Sequence, residues 1–430
     1  MWKLPAPALE TSRSESVFED YKAPYDDQQA AAEASRCLYC YDAPCIKACP
    51  TGIDIPNFIR KIATGNVKGS ARTIFSSNIL GASCARVCPV EVLCVGDCVY
   101  TDAGIPPIQI GRLQRYATDQ AVAANWRFFE AGPDSGKRVA LVGAGPASLA
   151  AAHELRRHGH AVTLYEKGTL PGGLNVTGVA PYKLRAEDAV AELDWVLGIG
   201  GIEIVTDTEI GRDRSWESLG EDHDAVFLGF GLGPDRSLPG AEIGGVHGAV
   251  AWIEQMKLGT VDLAGVTHAA VVGGGNTAVD CVRELLGLGV PSVTMVYRGD
   301  AAKMSGYAHE WDVAKKDGAL AVWHATPVGF AGTGHVSAVR CVGAAGPFEV
   351  PAQLVLLAIG QSKLGEQLAG LGIRADGGRI LADADGATSR PGWYVGGDAA
   401  NGGKEVVNAV AEGKRAAAAI HAFITGGGHA

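Results

Sequence analysis

The sequence predicts an α/β architecture: two doubly wound, Rossmann-like nucleotide folds preceded by an α-helical domain organised around cysteines. Three observations carry this. Eight of the ten cysteines fall between Cys37 and Cys98. Two glycine-rich turns, Gly143-Ala144-Gly145 and Gly273-Gly274-Gly275, each follow an apolar run and open a helical pattern. The chain holds 59 glycines in 430 residues, about twice the usual share of ~7%, and many stand where a backbone must approach a phosphate.

Length and charge bound the remainder. The chain can bury several cores and is expected to hold roughly three domains. A net charge of −10 favours solubility and argues against nucleic acid or an anionic membrane surface as a main partner. No apolar run reaches the ~18 residues of a membrane span. Met1-Trp2-Lys3-Leu4-Pro5 shows no basic region followed by an apolar run, so a reducing, cytoplasmic setting is expected.

Residues 1–28 are polar, mixed in charge and contain Pro5, Pro7 and Pro24. They read as an extended arm that becomes ordered only by lying on something else. Residues 29–130 form the helical domain, with a run from Gln29 to Arg36 and short amphipathic helices at Ile55 to Ile62 and Ser70 to Phe75. Its cysteines come in two sets. The first is Cys37, Cys40, Cys45 and Cys49, followed by Pro50; the second is Cys84, Cys88 followed by Pro89, Cys94 and Cys98. Soft thiolates at this spacing, with Pro directly after a cysteine, fit iron–sulfur clusters. Zinc is the alternative, although zinc sites usually read as pair, long gap, pair. Disulfides fit poorly in a reducing compartment.

The runs Ala34-Ser35-Arg36-Cys37-Leu38, Asp42-Ala43-Pro44, Leu93-Cys94 and Gly111-Arg112-Leu113-Gln114 together resemble the amino-terminal cluster domain of dihydropyrimidine dehydrogenases. From about Gln29 the whole chain is similar to the separate NAD-dependent subunit of the bacterial two-subunit form, and more distantly to the small subunit of glutamate synthase. The resemblance implies two [4Fe-4S] clusters with interleaved ligands: Cys37, Cys40, Cys45 and Cys98 for one, and Cys49, Cys88, Cys94 and the side-chain oxygen of Gln114 for the other. Cys84 is left over and reads as a small buried apolar residue. Without the resemblance, Gln114 would pass as a helix-surface glutamine.

After a linker over residues 125–137, Arg138 to Val142 reads as a strand, Gly143, Gly145, Pro146 and Ala147 as the turn, and a helix follows to Arg157. A second strand, Ala161 to Tyr165, ends at Glu166, where an acid takes ribose hydroxyls. Far along the chain, Trp393 to Asp398, with Gly397 before the acid, precedes Val406 and a helix beginning near Asn408. The pair resembles the FAD-binding and FAD-closing motifs of two-dinucleotide flavoproteins, so residues 131–239 plus 362–430 are assigned to an FAD domain. The resemblance also implies FAD contacts from Gly173, Leu174 and Ile210. Lys183 stands where relatives carry an Arg near FAD; a solvated surface lysine is the alternative.

The NAD(P) domain, residues 240–361, is read from Ala269 to Val272, then Gly273, Gly275, Asn276 and Thr277, a helix to Leu286, and a strand ending at Arg298. Arg298 could meet an adenosine 2'-phosphate, whereas Asp300 would repel one, leaving NADH and NADPH open. Similar apolar strands, Ala225 to Gly231 and Leu354 to Gly360, are expected to close the two folds, the second bringing Ala358 and Gly360 to the cofactor edge.

This cofactor chain is expected to move hydride from NAD(P)H to FAD and then single electrons into the clusters, with no catalytic acid or base in the protein. A disulfide reductase needs a cysteine pair beside the flavin. Residues 172–178 contain none, and Cys281 and Cys341 read as core. A zinc-stabilised scaffold is the non-enzyme alternative. The residues after Asp398 leave no room for an FMN-bearing barrel, so the resemblance implies a hetero-oligomer with an FMN- and iron–sulfur-containing catalytic subunit that reduces uracil or thymine. That partner is expected to dock on the cluster domain and the arm. A glutamate synthase small subunit or a ferredoxin:NAD(P)H oxidoreductase subunit would share the same cofactor chain.

Overall fold

The computed structural model describes residues 9–426. Pro5 and Pro7 of the arm and the end of the glycine-rich tail lie outside the described residues. The first domain is built from the helices Asp27–Ser35, Ile55–Ala63, Val67–Ser77, Gly81–Val87 and Ile110–Ala123. Polar side chains set their starts: Asp26 and Gln29 form a reciprocal capping box, Asp54 accepts from Asn57 N, and Asn66 accepts from Gly69 N. Ile55, Phe58, Ile59 and Ile62 fall on one helical face and are all buried. The cysteine loops wrap around this small core.

Two parallel five-stranded sheets follow. The first comprises β1 (Arg138–Val142), β2 (Ala161–Tyr165), β3 (Ile202–Val205), β4 (Ala225–Leu228) and β13 (Trp393–Val395), in the order β13-β4-β1-β2-β3. The second comprises β5 (Val246–Gly248), β6 (His268–Val272), β7 (Ser292–Val296), β8 (Leu320–Val322) and β12 (Leu354–Leu357), in the order β5-β12-β6-β7-β8. Each sheet centres on the strand that ends in a glycine turn. The two similar apolar runs take equivalent places beside those strands, pairing Val142 with Leu228 and Val272 with Leu357. Because β13 returns to the first sheet after the second is complete, the chain leaves the first unit and comes back to it.

Sequence patterning missed the antiparallel sheet β9 (Thr326–Thr333), β10 (His335–Gly343) and β11 (Gly346–Pro351). Its alternation is broken by Gly329 and Gly332, both at positive φ, and by register shifts at Val336/Ala338 and Arg340/Cys341. Cys341 is buried there, and Cys281 is buried in the helix Asn276–Gly287.

The described part of the arm, residues 9–28, lies on its own chain. Ser14 N donates to Gly259 O, and the Phe18 ring is buried against Gly287 beneath the second sheet. Tyr21 N donates to Tyr182 O, and Lys22 Nζ donates to Cys88 O at 3.0 Å. Arg112 holds Ala23 O and stacks over Tyr25. Among the described residues no helix is long and apolar enough to cross a membrane.

Candidate functional site

A cleft of about 560 Å³ lies where the two sheets face each other. Its wall includes Gly143, Gly145, Pro146, Ala147 and Glu166 from the first turn, and Gly173, Leu174 and Lys183 from the following loop. Gly397, Asp398 and Val406 complete it from the returning segment. The local chemistry explains the glycines. Gly143 has φ +86°, and a Cβ there would meet Phe230 Cα at 2.7 Å. At Gly173, φ +55°, it would meet Gly145 Cα at 2.9 Å. Residue 148 must be small because Gly229 lies against Ser148 Oγ, and the helix Val406–Ile424 crosses Pro146–Arg157 so closely that a Cβ on Gly413 would stand 2.0 Å from Ala147 O. Both helix starts, at Pro146-Ala147 and Val406, border the cleft, and the first turn of a helix carries amides without intrahelical partners.

Glu166 is anchored by its own turn: Oε2 accepts from Ala144 N and Oε1 from Gly168 N, each at 2.8 Å. Burial raises the Asp398 carboxyl above its ordinary range. Lys183 lines the cleft, but its ammonium lies on Asp280 at 2.9 Å and Glu310 at 2.8 Å. Burial pushes this lysine down, yet the two carboxylates outweigh it and hold the charge above the ordinary lysine range. It is thus a bridge from the loop after β2 to the second unit rather than a solvated lysine. Tyr307 makes a second bridge, donating its hydroxyl to Glu405 Oε1 at 2.6 Å while its N–H donates to Asn276 Oδ1. Ile210 is not part of the cleft wall. Its apolar side chain packs under the first sheet with Val142 and Tyr165.

The second turn gathers Gly273, Gly275, Asn276 and Thr277 at the edge where β6 and β12 end. A Cβ on Gly273 would stand 2.3 Å from Ala358 O, and Gly360 has φ +93°. Arg298 follows β7 and makes no ion pair among the described residues. Asp300 is engaged, accepting from Lys303 N and pairing with Lys303 Nζ at 3.5 Å.

The cysteines divide between two cavities. Cys37, Cys40, Cys45 and Cys98 line the outer one, with Leu38, Ile55 and Tyr100. Cys49, Cys84, Cys88, Cys94 and Gln114 line the inner one, with Asn78, Ile55 and Val407. Ile55 belongs to both walls. Val406 faces the dinucleotide cleft while Val407 faces the inner cavity, and Val87 and Pro89 line the cleft on either side of Cys88. All ten cysteines are free thiols. Burial and the neighbouring Cys37, Cys98 and Cys40 sulfurs push the Cys45 thiol up to about 12, and a hydrogen bond with Cys84, then burial, raises Cys88 well above its ordinary range. Such crowded thiols stay neutral until a cation compensates them.

A model of dihydropyrimidine dehydrogenase domain II, 4Fe-4S cluster, matches residues 13–126, and one of pyridine nucleotide-disulphide oxidoreductase matches residues 137–413. NAD-dependent dihydropyrimidine dehydrogenase subunit PreT of Escherichia coli K12 is 36% identical over 398 residues, covering 92% of this chain and 95% of its own. The glutamate synthase [NADPH] small chain of Halomonas elongata is 34% identical over 450 residues, covering 95% and 93%.

The chain belongs to the PreT and glutamate synthase small-chain family.

As a member of this family it is an oxidoreductase of the pyridine-nucleotide class with a 4Fe-4S domain. Mycobacterium tuberculosis FprA in complex with NADPH superposes with a TM-score of 0.56 at 19% identity, covering 69% of this chain and 85% of that one. Thioredoxin reductase of T. acidophilum gives 0.56 at 20% identity, covering 66% and 98%. These two share the fold of the paired sheets.

The residues present fit the groups the PreT and glutamate synthase small-chain family implies. In the cleft, Asn175 is buried with Oδ1 unpartnered among the described residues, an acceptor that a ligand N–H or O–H would satisfy. On the wall of the inner cavity, Asn78 carries in Nδ2 a buried donor without a partner among the described residues. Leaving such a group unsatisfied costs roughly 1–3 kcal/mol, so each marks a place for a missing polar partner. Gln114 Nε2 donates to Gly81 O at 2.8 Å, which fixes the amide and leaves its oxygen as the free end. Neither cavity is a point site: among the described residues no group of three or more His, Cys, Asp or Glu side chains could hold a metal ion. Sulfurs spread around a cavity suit a core of several atoms better than a lone zinc ion.

The sequence reading missed Asn78, Asn175, Tyr307 and Glu405. Each is a short or common polar residue whose importance comes from burial or from a partner distant in sequence. Only the position of Asn78 between two helical runs carried a local signal, and that signal reads simply as a cap.

Proposed function

We propose that this chain is the electron-input subunit of a pyrimidine-reducing complex: hydride passes from NAD(P)H to FAD, and electrons then pass singly through two [4Fe-4S] clusters to an FMN- and iron–sulfur-containing partner that reduces uracil or thymine to the dihydropyrimidine. The observation that carries the reading is contiguity. The dinucleotide cleft, the inner cavity and the outer cavity share walls in that order, through Val406-Val407 and then Ile55. Bound FAD supplies the step between two-electron and one-electron chemistry.

The chain's own residues bind, orient and insulate. The glycine turns and helix starts of residues 131–239 and 362–430 take the FAD pyrophosphate, Glu166 its ribose and Asp398 its ribityl chain. Residues 240–361 hold the nicotinamide dinucleotide through Gly273, Gly275, Asn276, Thr277 and Arg298, with Ala358 and Gly360 bounding it. Cys37, Cys40, Cys45 and Cys98 hold the outer cluster, and Cys49, Cys88, Cys94 and Gln114 the inner one. A neutral amide in place of a thiolate leaves the inner cluster less negative and easier to reduce. The Lys183–Asp280–Glu310 and Tyr307–Glu405 bridges keep the two dinucleotide units in register. Leu38 and Tyr41, exposed beside Cys37 and Cys40, offer the partner an apolar surface at the outer cluster. Ten free thiols suit a reducing, cytoplasmic setting.

A second reading, a glutamate synthase small chain, is favoured by one feature. Arg298, which makes no ion pair among the described residues, suits the 2'-phosphate of NADPH, the nucleotide in that relative's name. Anaerobic assays of the chain with a candidate FMN subunit, NADH or NADPH, and either uracil or 2-oxoglutarate plus glutamine separate the two. Nicotinamide oxidation that depends on uracil is the expected result. Oxidation only with 2-oxoglutarate and glutamine overturns the pyrimidine assignment.

A further inference from the structure

The inner cavity has one polar wall that the ligand set does not use. Asn78 follows the helix Val67–Ser77 and is fully buried. Its backbone N–H ends that helix by donating to Ile74 O at 2.9 Å. Its side-chain oxygen accepts from Leu80 N at 3.0 Å, which decides which end of the amide is nitrogen. The remaining end, Nδ2, has no partner among the described residues, and Asn78 lines the cavity with Cys49, Cys84, Cys88, Cys94 and Gln114. Capping and turn formation need only the oxygen and the backbone, so they leave the amino group unexplained. An apolar residue of similar shape would fill the space without burying an unsatisfied donor.

We propose that Asn78 donates an N–H···S hydrogen bond to the iron–sulfur cluster of the inner cavity and raises its reduction potential. This rests on the electron-relay reading above. The acceptors such a cavity would hold are thiolate and sulfide sulfurs, which grow more negative on reduction. A fixed amide donor therefore favours the reduced state, and hydrogen bonds to sulfur are among the means by which a protein sets such potentials. The oxygen's hold on Leu80 N ties the donor to the segment leading directly into the helix Gly81–Val87, which ends at Cys88. Donor and ligand thus share one support. Gln114 is attached to the same helix start through Gly81 O. Two neutral amides, one as ligand and one as donor, act in the same direction on the cluster that lies next to the dinucleotide cleft.

The test is an anaerobic potentiometric titration of the full-length holoprotein followed by electron paramagnetic resonance, comparing the unaltered chain with Asn78→Asp and Asn78→Leu. Asn78→Asp keeps the acceptor for Leu80 N and loses the donor. The expected result is unchanged iron and flavin content, with one cluster shifted to more negative potential while the other cluster and the flavin keep theirs. Unchanged potentials in both variants with full iron content overturn the proposal. The unaltered holoprotein, labelled with 15N in asparagine side-chain amides, gives an answer that does not depend on the variants folding. A 15N coupling to one reduced cluster supports the bond, and its absence overturns it. A protein with a single cluster signal or none would instead overturn the relay reading, and this proposal with it.

Discussion

Gly173 shows at the scale of one residue why the glycine turns were legible from sequence. Its φ of +55° and the 2.9 Å separation that a Cβ would have from Gly145 Cα leave only hydrogen room. Gly173→Ala is expected to lower FAD retention by on the order of tenfold without unfolding the chain, read as the flavin-to-protein absorbance ratio after gel filtration. The cysteines were equally legible because spacing encodes their chemistry, but division of labour among them is a matter of three-dimensional placement. Cys84 lines the inner cavity one helical turn from Cys88, a place that spacing alone cannot distinguish from a ligand's. Cys84→Ala is expected to keep the full iron content, whereas Cys88→Ala loses the iron of one cluster, as a colorimetric iron assay would show. At Arg298 the sequence supplied a charge, and among the described residues it makes no ion pair. Arg298→Ala should raise the KM for NADPH by about tenfold and leave that for NADH unchanged.

At the scale of elements, central strands and the long helices announced themselves through apolar runs and 3.6-residue periodicity. What stayed hidden was how they hold one another. The helix Gly81–Val87 is only seven residues long and has no cap of its own. Its start is held instead by Glu192, from the helix Ala186–Leu197, which accepts from Ala82 N at 2.7 Å, Ser83 N at 2.9 Å and the Ser83 hydroxyl. A cap supplied from over a hundred residues away leaves no local pattern to read. Glu192→Ala strands these donors in a buried place and is expected to destabilise the chain by about 2 kcal/mol, seen as a lower urea midpoint. The antiparallel sheet β9–β11 was hidden for a related reason, since its glycines and register shifts erase the period-two signal on which strand recognition depends.

For the whole molecule, the cluster domain and the first sheet meet through His153, buried among Phe75, Ile79 and Lys414 with Phe129 edge-on to its ring at 5.2 Å. Burial first, then Arg157 and Lys414, push this imidazole down to about 3 from 6.5. The unfolded chain therefore binds the extra proton between those values, so the contribution of His153 to stability is complete above about pH 6.5 and is lost as the pH falls toward 3. From pH 7 to pH 5 it should remove roughly 2 kcal/mol, and His153→Leu should flatten that part of the urea-midpoint profile. The arm was legible as a segment needing support, but not where it would find it, because its contacts are scattered over three regions. That scatter bears on how the molecule is assembled. The Phe18 ring needs Gly287, and the Lys22 ammonium needs Cys88. A segment early in the chain therefore stays undocked during synthesis until the helix Asn276–Gly287 has emerged and folded. Docking of the Phe18 end of the arm is thus a late event, completed only after the cluster domain and the first strands of both sheets have been made.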